Sequence, residues 1–159
     1  MNLVIANRQR KKKINSRQLK KITETLLGEL KITEAQLGVN LVGAREMELV
    51  NETFLQHEGV TDVITFDHAE KRKAESGKQI YGELFICVDV AMTQAKEFKA
   101  SWQSELVRYV VHGVLHLLGY DDLKPHLRRE MKREENRLVR HLEKRFSLAQ
   151  VSRASKIRA

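Results

Sequence analysis

Three absences narrow the reading of this chain before any motif is considered. It has one cysteine, Cys87, and one proline, Pro125, in 159 residues. A single cysteine excludes an internal disulfide framework and any cysteine-rich zinc module. Cys87 reads instead as a small buried residue in an apolar strand. No apolar run approaches the roughly 20 residues a membrane-spanning helix needs. The amino terminus, Met1 to Asn7, is apolar for only a few residues before a basic cluster. That is too short and in the wrong order for a secretory signal, so a cytoplasmic location is expected. Internal repeats and low-complexity linkers are also missing. With 42% apolar residues the chain suits one globular domain, expected over 1–146, followed by a basic, flexible tail over 147–159.

The net charge is +8, and its placement is uneven. Residues 124–159 hold 12 Lys/Arg against 4 Asp/Glu, whereas residues 1–123 hold 17 of each. Summed this way, the basic excess lies in the carboxy-terminal segment. A solvated helix face with a frayed basic end explains such a pattern, and so does a polyanionic partner, nucleic acid first.

Periodicity orders the elements. Residues 3–6 read as a short strand and 8–13 as a basic connector. Leu19, Ile22, Leu26, Leu27 and Leu30 follow helical spacing over 16–30, with Ser16 as N-cap. A strand is expected over 39–42, a helix over 44–55, a strand over 61–66 and a loop over 67–78. Residues 80–90 form the longest β-type run. A short helix is expected over 93–98 and long helices over 104–118 and 123–146. In the helix over 104–118 the Leu and Val residues fill one arc of about 180°. Glu105, Arg108, Tyr109, His112 and His116 fall on the other side. Alternating strands and helices predict an α/β (α+β) domain with a small mixed sheet.

The densest chemistry runs from His112 to Asp122, reading H-G-V-L-H-L-L-G-Y-D-D. Histidines at i and i+4 share a helix face and can bind one cation. Alone they could equally be surface histidines on the polar side of an amphipathic helix. Gly119 can end the helix and turn the chain back, bringing a carboxylate to the same cation. Asp122 has the expected spacing. His126 is a rival third ligand, and capping the next helix is a rival role for Asp122. Asp121 reads as support for a ligand or a backbone donor. Three ligands with an open position describe a catalytic rather than a structural metal site. Gly113 stands where zinc peptidases carry their glutamate base, which argues against a peptidase. What remains is a metal that polarises a phosphoryl oxygen and activates water.

His112 to Asp121 resembles the signature H-G-x-L-H-L-x-G-Y-D-H of the YbeY family of rRNA-maturation endoribonucleases. Residues Thr61 to Phe66 resemble the family's T-D-V-L-S-F strand. Tyr81 to Ile86 resemble its G-D-I-x-I strand, and Asn51 and Phe54 fit the segment before. The resemblance covers roughly 3–145. It implies a mixed four-stranded sheet surrounded by helices, with one Zn²⁺ at the end of a central helix. It implies cleavage of single-stranded RNA, 3′-end maturation of small-subunit (16S) rRNA, ribosome quality control and the small ribosomal subunit as partner. By position the ligands carried over are His112, His116 and Asp122.

Two departures from the family pattern change the chemistry. Asp122 stands at the usual third histidine. Two histidines and a carboxylate also suit iron or manganese, and an anionic ligand lowers the site's positive charge. Leu55 stands where many members carry an arginine. His57 is a candidate catalytic substitute, as is the Lys71-Arg72-Lys73 loop, against plain surface roles for both. Thr61, Asp62 and Glu83 read as sheet-edge hydrogen-bonding residues. No protein general base can be assigned beyond metal-bound water. Basic residues of the last helix, such as Arg128, Lys132 and Arg140, can track an RNA backbone. Aromatic residues are too few to supply base specificity. Two alternatives stand beside the ribonuclease: a ribosome-assembly factor with a degenerate metal site, and a metal hydrolase of another phosphorylated substrate.

Overall fold

The computed structural model describes residues 1–56, 59–68 and 78–152. The elements run β1 (Asn2–Asn7), α1 (Ser16–Glu29), β2 (Ile32–Val42), α2 (Ala44–Leu55), β3 (Val63–Asp67), β4 (Lys78–Cys87), α3 (Val88–Glu97), α4 (Trp102–Leu117) and α5 (Pro125–Arg145). A 3-10 turn, Leu148–Ser152, follows. The sheet order is β1-β2-β4-β3. β1 and β4 flank β2 in parallel, and β3 pairs antiparallel to β4. This is the small mixed four-stranded sheet with helices around it that the sequence predicts.

Strand alternation divides the apolar residues between two cores. Val39, Leu41, Ile80, Leu84 and Ile86 join α1, α4 and α5 in the larger one. Val42, Met47, Val50, Ile64 and Cys87 form the smaller one, between α2 and the end of the sheet. Cys87 is fully buried as a free thiol, and desolvation pushes its pKa up, as expected for an inert packing residue.

Most boundaries shift by one or two residues from the sequence reading, and four differences have a clear physical reason. Asn15, not Ser16, caps α1, accepting from the Gln18 N–H at 3.1 Å. β2 begins at Ile32 rather than Val39 because Thr33, Glu34 and Gln36 alternate with buried Ala35 and Leu37. The apolar run over 80–90 breaks at Cys87. Val88, Ala91 and Ala95 are instead the buried stripe of α3, since a short apolar run suits either element until its neighbours decide. The stretch 147–159 is not tail from its start. Leu148 and Val151 pack into the larger core, and the Asn15 N–H donates to the Val151 carbonyl at 2.6 Å. Residues 153–159 lie outside the described residues.

α4 is the central helix. The Ser101 side chain caps it, accepting from the Ser104 N–H at 3.1 Å. Its approach to the sheet is close. A Cβ on Gly113 would lie 2.7 Å from a methyl of Leu84, and one on Gly82 would lie 2.4 Å from the Phe66 carbonyl oxygen. α3, α5 and β3 cover the flank read from the sequence as polar, so Glu105 and Tyr109 are buried there. His112 and His116 stand at the opening that remains.

Candidate metal centre

The last turn of α4 builds the site. Gly119 has φ +102°, a conformation side chains resist. The Gly119 N–H donates to the His116 carbonyl and the Tyr120 N–H to the Leu115 carbonyl, both at 3.0 Å. These bonds satisfy the open carbonyls of the helix end and reverse the chain. The next residues are fixed by side-chain bonds. Asp121 Oδ1 accepts from the Leu123 N–H at 2.8 Å, the backbone-donor role expected for it. The Asp122 carbonyl accepts from Arg128 Nε at 3.2 Å. Asp122 does not cap α5, whose N-cap is Lys124 with no side-chain cap.

The carboxylate of Asp122 is thereby brought to both imidazoles. Its Oδ2 lies 3.9 Å from His112 Nε2 and 3.6 Å from His116 Nε2. The two Nε2 atoms are 3.1 Å apart. Tetrahedral metal–ligand bonds of 2.0–2.2 Å imply ligand spacings of about 3.3 Å. The triangle brackets that value, and its three ligand atoms lie within 4.8 Å of one another. His126 is exposed on the first turn of α5 and outside this group.

Hydrogen bonds orient both rings. His116 Nδ1 bonds the Tyr120 carbonyl at 3.1 Å, where the ring must donate. His112 Nδ1 bonds Glu135 Oε1 at 2.8 Å. With both Nδ1 protons so placed, two Nε2 lone pairs point at each other across 3.1 Å. Such lone pairs repel unless a cation lies between them, so this donor set fits a divalent ion.

Glu135 is the functional side chain that the sequence reading missed. It is 3% exposed, on α5. Besides His112 it binds Arg108 Nη1 at 2.8 Å and Lys132 Nζ at 3.1 Å. Burial raises its pKa, but His112, Arg108 and Lys132 outweigh burial and hold it down to about 2. Burial opposes the charged form of His112, but the Glu135 hydrogen bond and charge lift its pKa above the ordinary value. One signal could have found Glu135. Met131, Glu135, Leu138, Val139 and Leu142 share the buried stripe of α5, and a carboxylate in that stripe needs partners.

The triad stands where two clefts meet. One, of about 600 Å³, runs between α4 and α5 past Phe98, Arg108, Arg128 and Lys132. The other, of about 410 Å³, passes Asn51, Leu55, Thr61 and Thr65. Asp62, His112 and Asp122 line both. Asp62 Oδ1 accepts from the Val63 N–H at 2.7 Å, and Asn51 Nδ2 donates to the Gly59 carbonyl at 3.1 Å. These bonds hold the entrance to β3 against α2. Glu83 lies apart from the site, against Asn40 Nδ2 at 3.3 Å. His57 and Lys71-Arg72-Lys73 lie outside the described residues.

An α+β domain with a pre-oriented two-histidine, one-carboxylate cluster at the end of its central helix has the donor set of a protein that can hold one divalent ion. Comparison with known proteins narrows this. The family described as Endoribonuclease YbeY matches residues 4–143, and the chain belongs to that family. An Endoribonuclease YbeY of Chlorobium luteolum is 33% identical over 89% of this chain and 98% of its own length. One from Chlorobium phaeovibrioides is 35% identical over 79% and 80% respectively. A solution structure from Thermotoga maritima aligns over 100% of both chains, with 25% identity and a TM-score of 0.66. Membership makes the chain an endoribonuclease, a hydrolase acting on RNA, and the His112, His116 and Asp122 group could hold a metal ion. Among the described residues no helix is long and apolar enough to cross a membrane.

Proposed function

We propose that His112, His116 and Asp122 hold one Zn²⁺ and that the protein cleaves single-stranded RNA beside it. The proposed role is 3′-end maturation of small-subunit rRNA and ribosome quality control, on the small subunit in the cytoplasm. One observation carries the reading: three ligand atoms converge while Glu135 and the Tyr120 carbonyl hold both imidazoles with Nε2 turned inward. A divalent ion there supplies Lewis acidity toward a phosphoryl oxygen and toward water.

The chain's own residues do the rest. Glu135 fixes the His112 tautomer, and Arg108 and Lys132 keep Glu135 ionised. Arg128 ties the Asp122 segment to α5 and, with Arg108 and Lys132, lines the larger cleft. A strand crossing the triad meets these cations on one side and the neutral wall of Leu55 and Thr65 on the other. The intact orientation of both rings supports an enzyme over an assembly factor with a degenerate site. Iron or manganese is the alternative ion, because the third ligand is a carboxylate.

Protein purified without added metals should carry about one zinc and cleave unstructured RNA. Chelator should abolish cleavage. His116→Ala and Asp122→Ala should each lower the rate at least about 100-fold, more than loss of an outer-shell partner costs. Activity surviving both substitutions would sink the reading, and a preparation loaded with iron or manganese would correct the metal.

A further inference from the structure

We propose that the loop over residues 8–13, with Arg45 at the start of α2, is a second RNA-binding site that takes the phosphate backbone at a distance from the metal centre. The inference rests on the RNA reading above and extends it to a surface that reading does not use.

Local charge is the first observation. Residues 8–21 contain eight Lys/Arg and no acid. Summing over 1–123 hides this, because residues 1–7 and 22–123 carry nine Lys/Arg against seventeen acids. The basic excess therefore has two centres.

The loop is also built, not merely charged. Gln9 is 8% exposed and acts as its internal scaffold. Its Nε2 donates to Asn7 Oδ1 and to the Lys12 carbonyl, both at 2.8 Å. Its Oε1 accepts from the Lys12 N–H at 3.0 Å. The Arg8 N–H donates to the Leu41 carbonyl at 2.8 Å, extending the β1–β2 pairing into the loop. With the backbone tied this way, Arg8, Arg10, Lys11 and Lys13 are exposed. Lys12 turns back over the Trp102 ring at 5.6 Å.

Arg8, Arg10, Lys11 and Arg45 line a groove of about 660 Å³. Its two acids are engaged: Glu46 pairs with Arg8 at 2.7 Å, and Asp89 accepts from the Ala44 N–H at 2.7 Å. Among the described residues no carboxylate pairs with Arg10, Lys11, Lys13 or Arg45. Cations held ready on a fixed backbone lose little freedom on binding. Each phosphate they neutralise releases condensed counterions.

Position says which RNA reaches the groove. Arg45 and Leu55 mark opposite ends of α2, about 15 Å apart at 1.5 Å per residue, and Leu55 lines the metal cleft. At about 3.4 Å per stacked nucleotide, that is four or five nucleotides. Glu48 and Glu52 are exposed on α2 between them, so the backbone does not lie along the helix. The groove holds a separate segment of a longer substrate.

The test is fluorescence anisotropy on the full-length protein, with chelator present so that RNA stays intact. The probes are a 4-nucleotide and a 30-nucleotide RNA. The triple variant Arg10→Ala/Lys11→Ala/Lys13→Ala should bind the 30-mer about tenfold more weakly. Its log–log salt slope should be shallower by about 2, at about 0.7 per phosphate contact on a single strand. Binding of the 4-mer should be unchanged. Arg45→Ala, on a different element, should lower the slope by about 0.7 and guards against local misfolding of the loop variant. Unchanged 30-mer affinity in both variants would overturn the site. Equal weakening of the 4-mer would assign these cations to the metal cleft instead. Tighter binding of wild type to phosphatidylserine vesicles than to the 30-mer would make the patch a membrane surface. His112→Ala separates the two readings. If it cleaves like wild type while the loop variants behave as expected, the metal-centre reading fails and the groove stands.

Discussion

At the scale of single residues, the proposed metal ligand His112 is oriented by a side chain contributed from 23 positions away. Glu135 both orients His112 and raises its affinity for protons. An imidazole must be deprotonated to bind a metal, so protons compete with the metal below the His112 pKa. A plot of log affinity against pH should climb through that pKa and level above it. Glu135→Gln keeps an acceptor for Nδ1 but removes the charge, so the burial that lowers the His112 pKa is opposed only by Asp62 and Asp122. The break in the plot should therefore move to lower pH. The plateau should fall about 10- to 100-fold, the usual effect of losing an outer-shell carboxylate. Competition titration of zinc against a chromophoric chelator across pH reads both quantities. A break and plateau matching wild type would reduce Glu135 to a space-filling role. Local spacing explains what could be read here: His112, His116, Gly119 and Asp122 lie within about two turns and a reversal. Glu135 was illegible in that window because its partner sits on another helix.

At the scale of elements, the position of α4 is set by two glycines that permit close approach. The obstacles facing them differ in kind. At Gly113 an added methyl meets the flexible end of Leu84 at 2.7 Å; at Gly82 it meets the Phe66 backbone oxygen at 2.4 Å. Alanine at 113 also gains about 1 kcal/mol of helix propensity against an overpacking cost of about 1–3 kcal/mol. Gly113→Ala should therefore destabilise by no more than about 2 kcal/mol. Gly82→Ala has no such offset and needs a shift of strand β3, so it should cost more. Urea unfolding of the two variants gives the order, and the reverse order would refute this account of the α4–sheet contact. Elements with clear periodicity were readable: α2 falls at 44–55 as expected. The start of β2 and the β4–α3 junction were not. Thr33, Glu34 and Gln36 are polar because they alternate outward, and Val88 and Val90 suit either conformation. Only the tertiary partners decide such segments.

At the scale of the whole molecule, the segment leading into α1 meets the 3-10 turn Leu148–Ser152. Asn15 binds Val151, and Gln103 Nε2 donates to Ser152 Oγ at 3.0 Å. The amino-terminal basic segment therefore lies beside the point from which the last residues continue. Composition could not disclose this, since charge sums follow chain order and the seam joins positions more than a hundred residues apart. Two truncations separate packing from charge. Stopping after Ser152 removes Arg153, Lys156 and Arg158 but keeps Leu148 and Val151 in the core. Its melting temperature should match wild type, while RNA binding loses up to about 2 units of salt slope, at about 0.7 per cation. Stopping after Phe146 also withdraws the two buried side chains, each contributing about 1.5–3 kcal/mol when fully buried. After allowing for the ordering entropy of the turn, it should unfold several degrees lower by calorimetry. If both truncations melt alike, the turn at 148–152 contributes nothing to the core. If only the chain ending at Phe146 loses RNA affinity, the loss comes from unpacking the core, because residues 147–152 carry no cation. The expected pattern, full stability with a shallower salt slope after Ser152, makes the carboxy-terminal seven residues an electrostatic extension of a domain that ends at its 3-10 turn.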